Sequence, residues 1–258
     1  MVVLISACFG IRFGTTEIVP PQSIELSDSQ AERIGRRLWQ NESGATIAGL
    51  TAWNYGEDFA SLGIGHFIWY PAEKKGPFEE SFPPLVRYLV SQRAPVPTWL
   101  AQADACPWSS RAQFLSDQQS ARMKELRALL AETIGLQARF AALRLERALP
   151  KMLESAPAGE REKIRENFAR VASEPGGLYA LVDYVNFKGE GTLETERYNG
   201  EGWGLLQVLE QMGQGPARAE FARAADKVLS RRVMNSPAAR GEKRWLPGWK
   251  NRVRSYAD

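Results

Sequence analysis

The chain has 258 residues, of which 44% are hydrophobic and 24% are charged, and it carries one histidine, His66, and two cysteines, Cys8 and Cys106. This length allows a sizeable core, the hydrophobic share excludes general disorder, and no apolar run approaches the ~20 residues of a membrane span. So few histidines and cysteines cannot form a zinc cluster or a disulfide framework. Acid–base chemistry is therefore expected to depend on carboxylates, with no metal and no cofactor.

The net charge of +3 is too small to imply a nucleic-acid partner, and none is expected. The charge is uneven, because residues 218–258 contain 11 Lys and Arg against 4 Asp and Glu. A basic segment of this kind can bind nucleic acid, anionic lipid or an anionic polymer. It is equally typical of a solvated helical surface.

Residues 1–25 are expected to form an N-terminal segment and linker. The stretch Ile5-Ser6-Ala7-Cys8 resembles a bacterial lipobox, which implies a lipid anchor at Cys8 and a location in the cell envelope or periplasm. No Lys or Arg precedes it, and its apolar part is shorter than the 7–15 residues of a secretory signal. A short buried β-strand and a cytoplasmic location are the alternative. Cys106 is expected to form no disulfide.

The elements after residue 25 are predicted to be mostly helical, with one small β-element. A capping-box pattern at residues 27–30 begins the first helix, which should run to about Glu42. Residues 58–70 are β-prone, with glycines that permit close backbone approach. Apolar spacings of three and four predict further helices at residues 83–93, 111–134, 136–153, 160–172, 177–187, 203–213, 217–232 and 237–245. The expected fold class is α+β, mostly α.

Glu42 is the first candidate for acid–base chemistry. It falls where the first helix should end, after Leu38 and Trp39. The negative potential at a helix C-terminus and the aromatic neighbour should both raise the pKa of its carboxyl, as a general acid requires. Glu57 and Asp58 follow at the mouth of the β-segment. A helix-end carboxyl facing a carboxylate on a β-hairpin is an arrangement suited to glycoside hydrolysis.

The sequence Leu62-Gly63-Ile64-Gly65-His66-Phe67, about twenty residues after Glu42, resembles the amino-terminal site of phage-type lysozymes. The resemblance implies that Glu42 is the catalytic acid and that Ser61 takes the hydroxyl position. It also implies a structural role for three motif residues, Gly63, Gly65 and His66. The spacing from Glu42 to Ser61 is longer than in the family, so three residues are alternatives for its acidic position: Asp58, Glu57 and Asn54.

Two later stretches are similar to the same family. Residues 180–189 resemble its buried central helix and the glycine turn that follows, and residues 229–245 resemble its closing helices. The resemblance implies a lysozyme-like domain over residues 26–258, with a helical insertion at about 95–165. Glu42-Ser43 and residues 204–208 show a looser similarity to goose-type lysozymes and lytic transglycosylases.

Aromatic and amide side chains near these motifs are candidates for sugar binding, because rings stack on sugars and amides bond N-acetyl groups. The candidates are Trp53, Asn54, Tyr198, Asn199 and Gln207. The glycine-rich residues 198–204 fit a sugar-contacting loop and equally fit a turn between helices, with Trp203 beginning the next helix.

The resemblance implies a muramidase, which cleaves β-1,4 bonds of peptidoglycan or another polymer that contains N-acetylglucosamine. A non-catalytic protein that binds the cell wall or envelope on the same fold is the alternative from another functional class. Lytic transglycosylase and chitinase activities are alternatives among the enzymes.

Overall fold

A computed structural model describes residues 24–76 and 78–258 of the chain. The fold class is α+β and mostly helical, as predicted, with two small antiparallel sheets. The lipobox-like stretch and nearly all of the predicted linker lie outside the described residues. In the described part the helices are α1 (Asp28–Ser43), α2 (Phe82–Ser91), α3 (Thr98–Ala101), α4 (Arg111–Ser116), α5 (Ala121–Glu132), α6 (Ile134–Ser155), α7 (Arg161–Ser173), α8 (Gly177–Lys188), α9 (Leu205–Gln211), α10 (Ala217–Asn235) and α11 (Leu246–Arg254).

The predicted β-element, residues 58–70, supplies two strands of a three-stranded antiparallel sheet, whose first strand, at residues 51–52, was not predicted. The strands of the sheet are β1 (Thr51–Ala52), β2 (Ala60–Leu62) and β3 (Phe67–Trp69), in that spatial order, with Ser61 opposite Ile68. A second hairpin, β4 (Arg197–Tyr198) and β5 (Glu201–Gly202), was not predicted as strands. Its two-residue strands are too short to show a period-two pattern in the sequence.

Helix α1 begins and ends as its sequence predicts. Ser27 Oγ accepts from the backbone N–H of Gln30, and the Gln30 side chain accepts from the N–H of Ser27, which completes the capping box. At the other end Gly44 adopts a left-handed conformation, with φ of 61°, and closes the helix. The buried face of α1 packs against α6.

The segment 95–165, expected as a helical insertion, is helical and contributes to the central core. Helix α6 within it buries Ala138, Ala141 and Leu145, and it packs against α1, α2, α7 and α8. Helix α8, the predicted central helix, is buried continuously from Tyr179 to Tyr184. It ends at Gly189, whose φ of 84° only glycine adopts easily.

Two predicted helices are wrong in extent. Residues 111–134 form two helices instead of one, because Ser120 Oγ accepts from the N–H of Met123 and starts α5 anew. Residues 237–245 form two single 3₁₀ turns, Ala238–Arg240 and Glu242–Arg244, interrupted by the left-handed Gly241. Helix α11, which follows them, was not predicted.

The last two helices, α10 and α11, pack against each other. Helix α10 packs against α7, α9 and α11, so α11 is tied to the core mainly through α10. Within residues 24–76 and 78–258, every helix is either too short or too polar to span a bilayer.

Candidate active site

Glu42 lies in the last turn of α1, one residue before the helix ends. The buried side chains of Leu38 and Trp39 anchor this end of the helix, and the glycine cap turns the chain away immediately afterwards. The Glu42 side chain is 15% exposed, so it is partly accessible to solvent while the helix end that carries it is fixed.

Two side chains from distant parts of the chain converge on this carboxyl. Arg252 of α11 donates from Nη2 to Glu42 Oε1 across 2.6 Å. His66 Nδ1 lies 3.6 Å from Glu42 Oε2, which is within ion-pair distance but longer than a hydrogen bond. The first helix, the turn between β2 and β3 and the last helix therefore meet at Glu42.

The turn that carries His66 is held from two sides. Gln137 of α6 accepts from the N–H of Ile64 at 3.0 Å, and Asn186 of α8 donates to the carbonyl of Gly65 at 3.0 Å. Gly63 has a φ of 75°, and a Cβ there would lie 2.4 Å from the side-chain oxygen of Gln137. His66 itself has a left-handed φ of 49°, and its Nε2 is buried without a hydrogen-bond partner in the described part of the chain. The turn is thus built to a fixed shape, with the imidazole directed at Glu42.

Beneath Glu42 lies a buried carboxylate, Asp183 of α8. Its oxygens accept from Arg252 Nε at 2.9 Å and Nη2 at 2.8 Å, from Asn41 at 3.0 Å and from the hydroxyl of Tyr256. Asp183 is completely buried, and every bond it accepts comes from α1, α11 or the residues after α11. It therefore orients Arg252 toward Glu42.

The electrostatics follow from this arrangement. Burial disfavours the charged guanidinium of Arg252, but the two carboxylates outweigh it and raise the pKa of Arg252 well above its usual range. Burial and the charge of Asp183 raise the pKa of Tyr256, which keeps its hydroxyl a donor. Burial, together with the nearby Arg232 and Arg252, lowers the pKa of Lys188.

Two of the remaining predicted catalytic residues, Glu57 and Asp58, precede β2, whereas His66 follows it. The Asp58 side chain is 82% exposed, and its Oδ1 lies 3.7 Å from Lys74 Nζ. Glu57 accepts from the side chain of Asn54 at 3.1 Å. Ser61 is buried in the middle of β2. The structure thus brings Glu42 and His66 together and holds Asp58 and Glu57 in contact with other neighbours.

The predicted sugar-binding residues divide into two groups. Trp53 is buried against Phe114 and donates to the carbonyl of Glu57, so it supports the loop in which Asn54 is exposed. The others belong to the β4–β5 hairpin and the start of α9: Tyr198 donates to Glu242, Asn199 occupies the left-handed turn position, and Gln207 is buried with bonds to Gly191 and Gly204.

A chain of aromatic and cationic side chains connects the β4–β5 hairpin to the Glu42 cluster. Arg232 lies over Trp203 at 4.1 Å and over Trp249 at 5.1 Å, measured from Cζ to the ring centroid. The Trp249 ring lies 6.3 Å from that of Phe187, and Arg252 lies over Phe187 at 4.1 Å. Packed side chains therefore extend from the residue after the hairpin to the Glu42 cluster.

Sequence reasoning missed two residues of this cluster, Asp183 and Arg252. The sequence contains an indication that Asp183 is paired. It is the single acid in the otherwise apolar run from Tyr179 to Val185, and an acid on a buried helix is expected to have a partner. Arg252 is one of 11 basic residues after residue 217 and carried no comparable signal.

The described residues offer no group of three His, Cys, Asp or Glu side chains arranged to hold a metal ion. Compared with protein-family models, curated proteins and solved structures, the chain has no match. Its function must therefore be argued from the site itself.

Proposed function

We propose that the chain is a glycoside hydrolase on a lysozyme-like fold, with Glu42 as the general acid. Its substrate is peptidoglycan or another β-1,4-linked polymer that contains N-acetylglucosamine. One observation supports the proposal most strongly. A partly exposed glutamate ends a core helix, faces the turn of a β-hairpin and is clamped by an arginine of the last helix.

The carboxyl of Glu42 is held at one oxygen, which fixes the direction in which it can deliver a proton. Arg252 holds Oε1, which leaves the Oε2 side, next to His66, to reach a glycosidic oxygen.

Asp58, with Glu57 as the alternative, is the proposed second carboxylate, and Ser61 is proposed to position the attacking water. A separation of roughly 6.5–9.5 Å from Glu42 corresponds to inversion, and roughly 5–5.5 Å corresponds to retention. Each of these carboxylates contacts another side chain, Lys74 for Asp58 and Asn54 for Glu57.

A second candidate activity is that of a lytic transglycosylase, which needs only one catalytic carboxyl. Asp183 is buried and saturated with donors, so within the described chain Glu42 has no contacting carboxylate that is free for chemistry. A single acid can protonate the departing oxygen and then accept a proton from a hydroxyl of the same sugar, which attacks the anomeric carbon. The product is an anhydro-sugar instead of a reducing end.

Purified cell walls incubated with the wild type and with Glu42→Gln test the proposal. Turbidity should fall with the wild type, and Glu42→Gln should lose at least about 10²-fold of the rate, because no proton donor remains. Mass spectrometry of the products separates reducing ends from anhydro-sugars. Full activity of Glu42→Gln excludes its role as the acid. Wall binding by the wild type without any released sugar favours the non-catalytic wall-binding protein instead.

The proposed substrate is a polymer of the bacterial envelope, so we propose an envelope or periplasmic location, with a lipid anchor at Cys8. The cytoplasm is the alternative. Lipid labelling of the wild type and of Cys8→Ser in a bacterial host distinguishes the two.

A further inference from the structure

The connection between α10 and α11, residues 236–245, and the helix end before it combine exposed apolar and cationic side chains. Met234, in the last turn of α10, is 78% exposed, and Trp245, at the start of α11, is 42% exposed. Arg240, Lys243 and Arg244 lie between them and are exposed as well. These five residues fall within twelve consecutive positions of the chain, and we call them the basic patch.

No exposed carboxylate offsets the charge of this connection. Its one acid, Glu242, is 1% exposed and accepts from both Arg232 and Arg240. Lys243 and Arg244 form no ion pair with any residue that the structure describes. Four cations (Arg232, Arg240, Lys243 and Arg244) against one carboxylate leave a formal charge of +3 on this small part of the surface. Such a surface attracts an anionic partner.

The basic patch is held in a fixed shape from beneath. Glu242 accepts from Arg232 of α10 at 2.8 Å and from the hydroxyl of Tyr198 of β4 at 3.0 Å, which ties the middle of the connection to two other elements. On the exposed side, the guanidinium of Arg244 lies 4.6 Å from the ring centroid of Trp245, so a charge and a ring are presented together. A surface that is ordered in advance loses little conformational entropy when a partner binds.

The apolar members of the patch decide which anionic partner fits. Cations alone suit any polyanion, but Met234 and Trp245 expose apolar surface that a row of phosphates does not cover. The surface of an anionic bilayer meets both needs. Its headgroups attract Lys and Arg, each of which adds about fivefold to the affinity, and tryptophan rings favour the boundary between the headgroups and the acyl chains.

We propose that the basic patch docks on the surface of an anionic phospholipid bilayer, with the Trp245 ring inserted at the level of the headgroups. Lys243 and Arg244 bind lipid phosphates, and Met234 adds apolar contact. The docking does not require a lipid on Cys8. Vesicle binding is measured without any glycan, so its result is independent of the proposed hydrolase activity.

Cosedimentation with vesicles measures the docking, with Cys8→Ser in every protein so that no lipid anchor contributes. Vesicles of equal parts phosphatidylglycerol and phosphatidylcholine should bind the protein at least about tenfold more tightly than phosphatidylcholine alone, and added salt should weaken the binding. Lys243→Gln combined with Arg244→Gln should weaken it about tenfold or more, because two cations are lost. The matched control combines Arg87→Gln and Lys124→Gln, at exposed positions of α2 and α5, and should weaken it less than about threefold.

Tryptophan fluorescence tests whether the ring enters the bilayer. Lipids with brominated acyl chains quench only tryptophans that come close to those chains, so the quenching seen with anionic vesicles should be largely lost in Trp245→Phe. Trp99→Phe is the matched control and should keep the quenching. Trp99 also has an arginine over its ring, Arg122 at 5.4 Å, but it donates to the carboxylate of Glu125. This measurement needs no charge variant, so it also serves if the lysine and arginine variants fail to fold.

Equal binding to the two kinds of vesicle, equal effects of the two double variants, or quenching that survives Trp245→Phe overturns the bilayer as the partner. Tighter binding to double-stranded DNA than to anionic vesicles assigns the patch to a polyanion and overturns it as well. If the protein binds vesicles as proposed but releases no sugar from cell walls, the docking stands and the hydrolase proposal is wrong.

Discussion

Arg252 bonds to Glu42 across 2.6 Å, although 210 residues separate them in the chain. The same Nη2 atom also donates to Asp183 at 2.8 Å. One guanidinium therefore ties the end of α1, the buried helix α8 and the last helix α11 together. The C-terminal helix is part of the candidate site and not an appendage to it.

The first prediction concerns the buried end of this link. Asp183→Ala should lower the free energy of unfolding by about 3–5 kcal/mol, because Arg252 and the hydroxyl of Tyr256 lose their acceptor in the interior. Urea unfolding measures the loss. The matched control is Asp226→Ala, which removes the more exposed acceptor of Lys250 and Arg254 and should cost at most about 1 kcal/mol. Equal losses in the two variants would show that burial of Asp183 does not determine its contribution.

The second prediction separates the candidates for the second carboxylate. Asp58→Asn should reduce the release of sugar from cell walls by about 10²-fold or more while leaving stability unchanged, since the side chain is exposed. Glu57→Gln is the neighbouring control and should keep most of the activity. If Asp58→Asn is fully active and Glu57→Gln is inactive, the second carboxylate is Glu57 and not Asp58. Full activity in both variants favours the single-acid mechanism.

The local elements of the site were predictable, and its long-range contacts were not. The capping box at Ser27, the helix end near Glu42 and the hairpin around Gly63 depend on neighbouring residues, and the structure confirms them. Helix α11 was missed because Pro247 and Gly248 oppose a helix prediction and only Val253 on it is fully buried. Without that helix, no sequence pattern could place Arg252 beside Glu42.

The third prediction concerns Cys106, which is buried and has no disulfide partner among the described residues. Burial raises the pKa of its thiol to about 12, against an ordinary value near 9. Alkylation at pH 8 should therefore be slow in the folded protein and become fast in denaturant. Mass spectrometry of the Cys106 peptide measures the rate separately from Cys8, and Cys8→Ser is the control for exchange between the two. Rapid labelling in native buffer would contradict burial of the thiol.

Because the pKa of the Cys106 thiol is higher in the folded protein than in the unfolded chain, the stability of the protein should depend on pH. The unfolded thiol ionises near pH 9, below the folded pKa, so ionisation favours the unfolded state. The contribution of Cys106 to stability should be complete below about pH 9 and decline as the pH rises above it. Cys106→Ala should therefore lose less stability than the wild type between pH 8 and pH 10, which urea unfolding at the two pH values measures.

The fourth prediction concerns the stability of the protein at low pH and its dependence on Glu242. Glu242 is buried, and its oxygens accept from Arg232 twice at 2.8 Å, from Arg240 at 3.0 Å and from the hydroxyl of Tyr198 at 3.0 Å. Burial alone would raise the pKa of this carboxyl, but these donors outweigh it and lower the pKa from the ordinary 4.5 to about 2.

A carboxyl with a depressed folded pKa stabilises the protein above its unfolded pKa and loses that contribution as the pH falls. For Glu242 the contribution is complete above about pH 5, is lost progressively down to about pH 2, and amounts to about 3 kcal/mol. Glu242→Gln should therefore be less stable than the wild type at pH 6, with the difference shrinking toward pH 3. Glu201→Gln, which removes from the β4–β5 hairpin the half-exposed partner of Arg231, should show no such convergence. A constant difference between Glu242→Gln and the wild type from pH 6 to pH 3 would show that Glu242 contributes by packing and not by its charge.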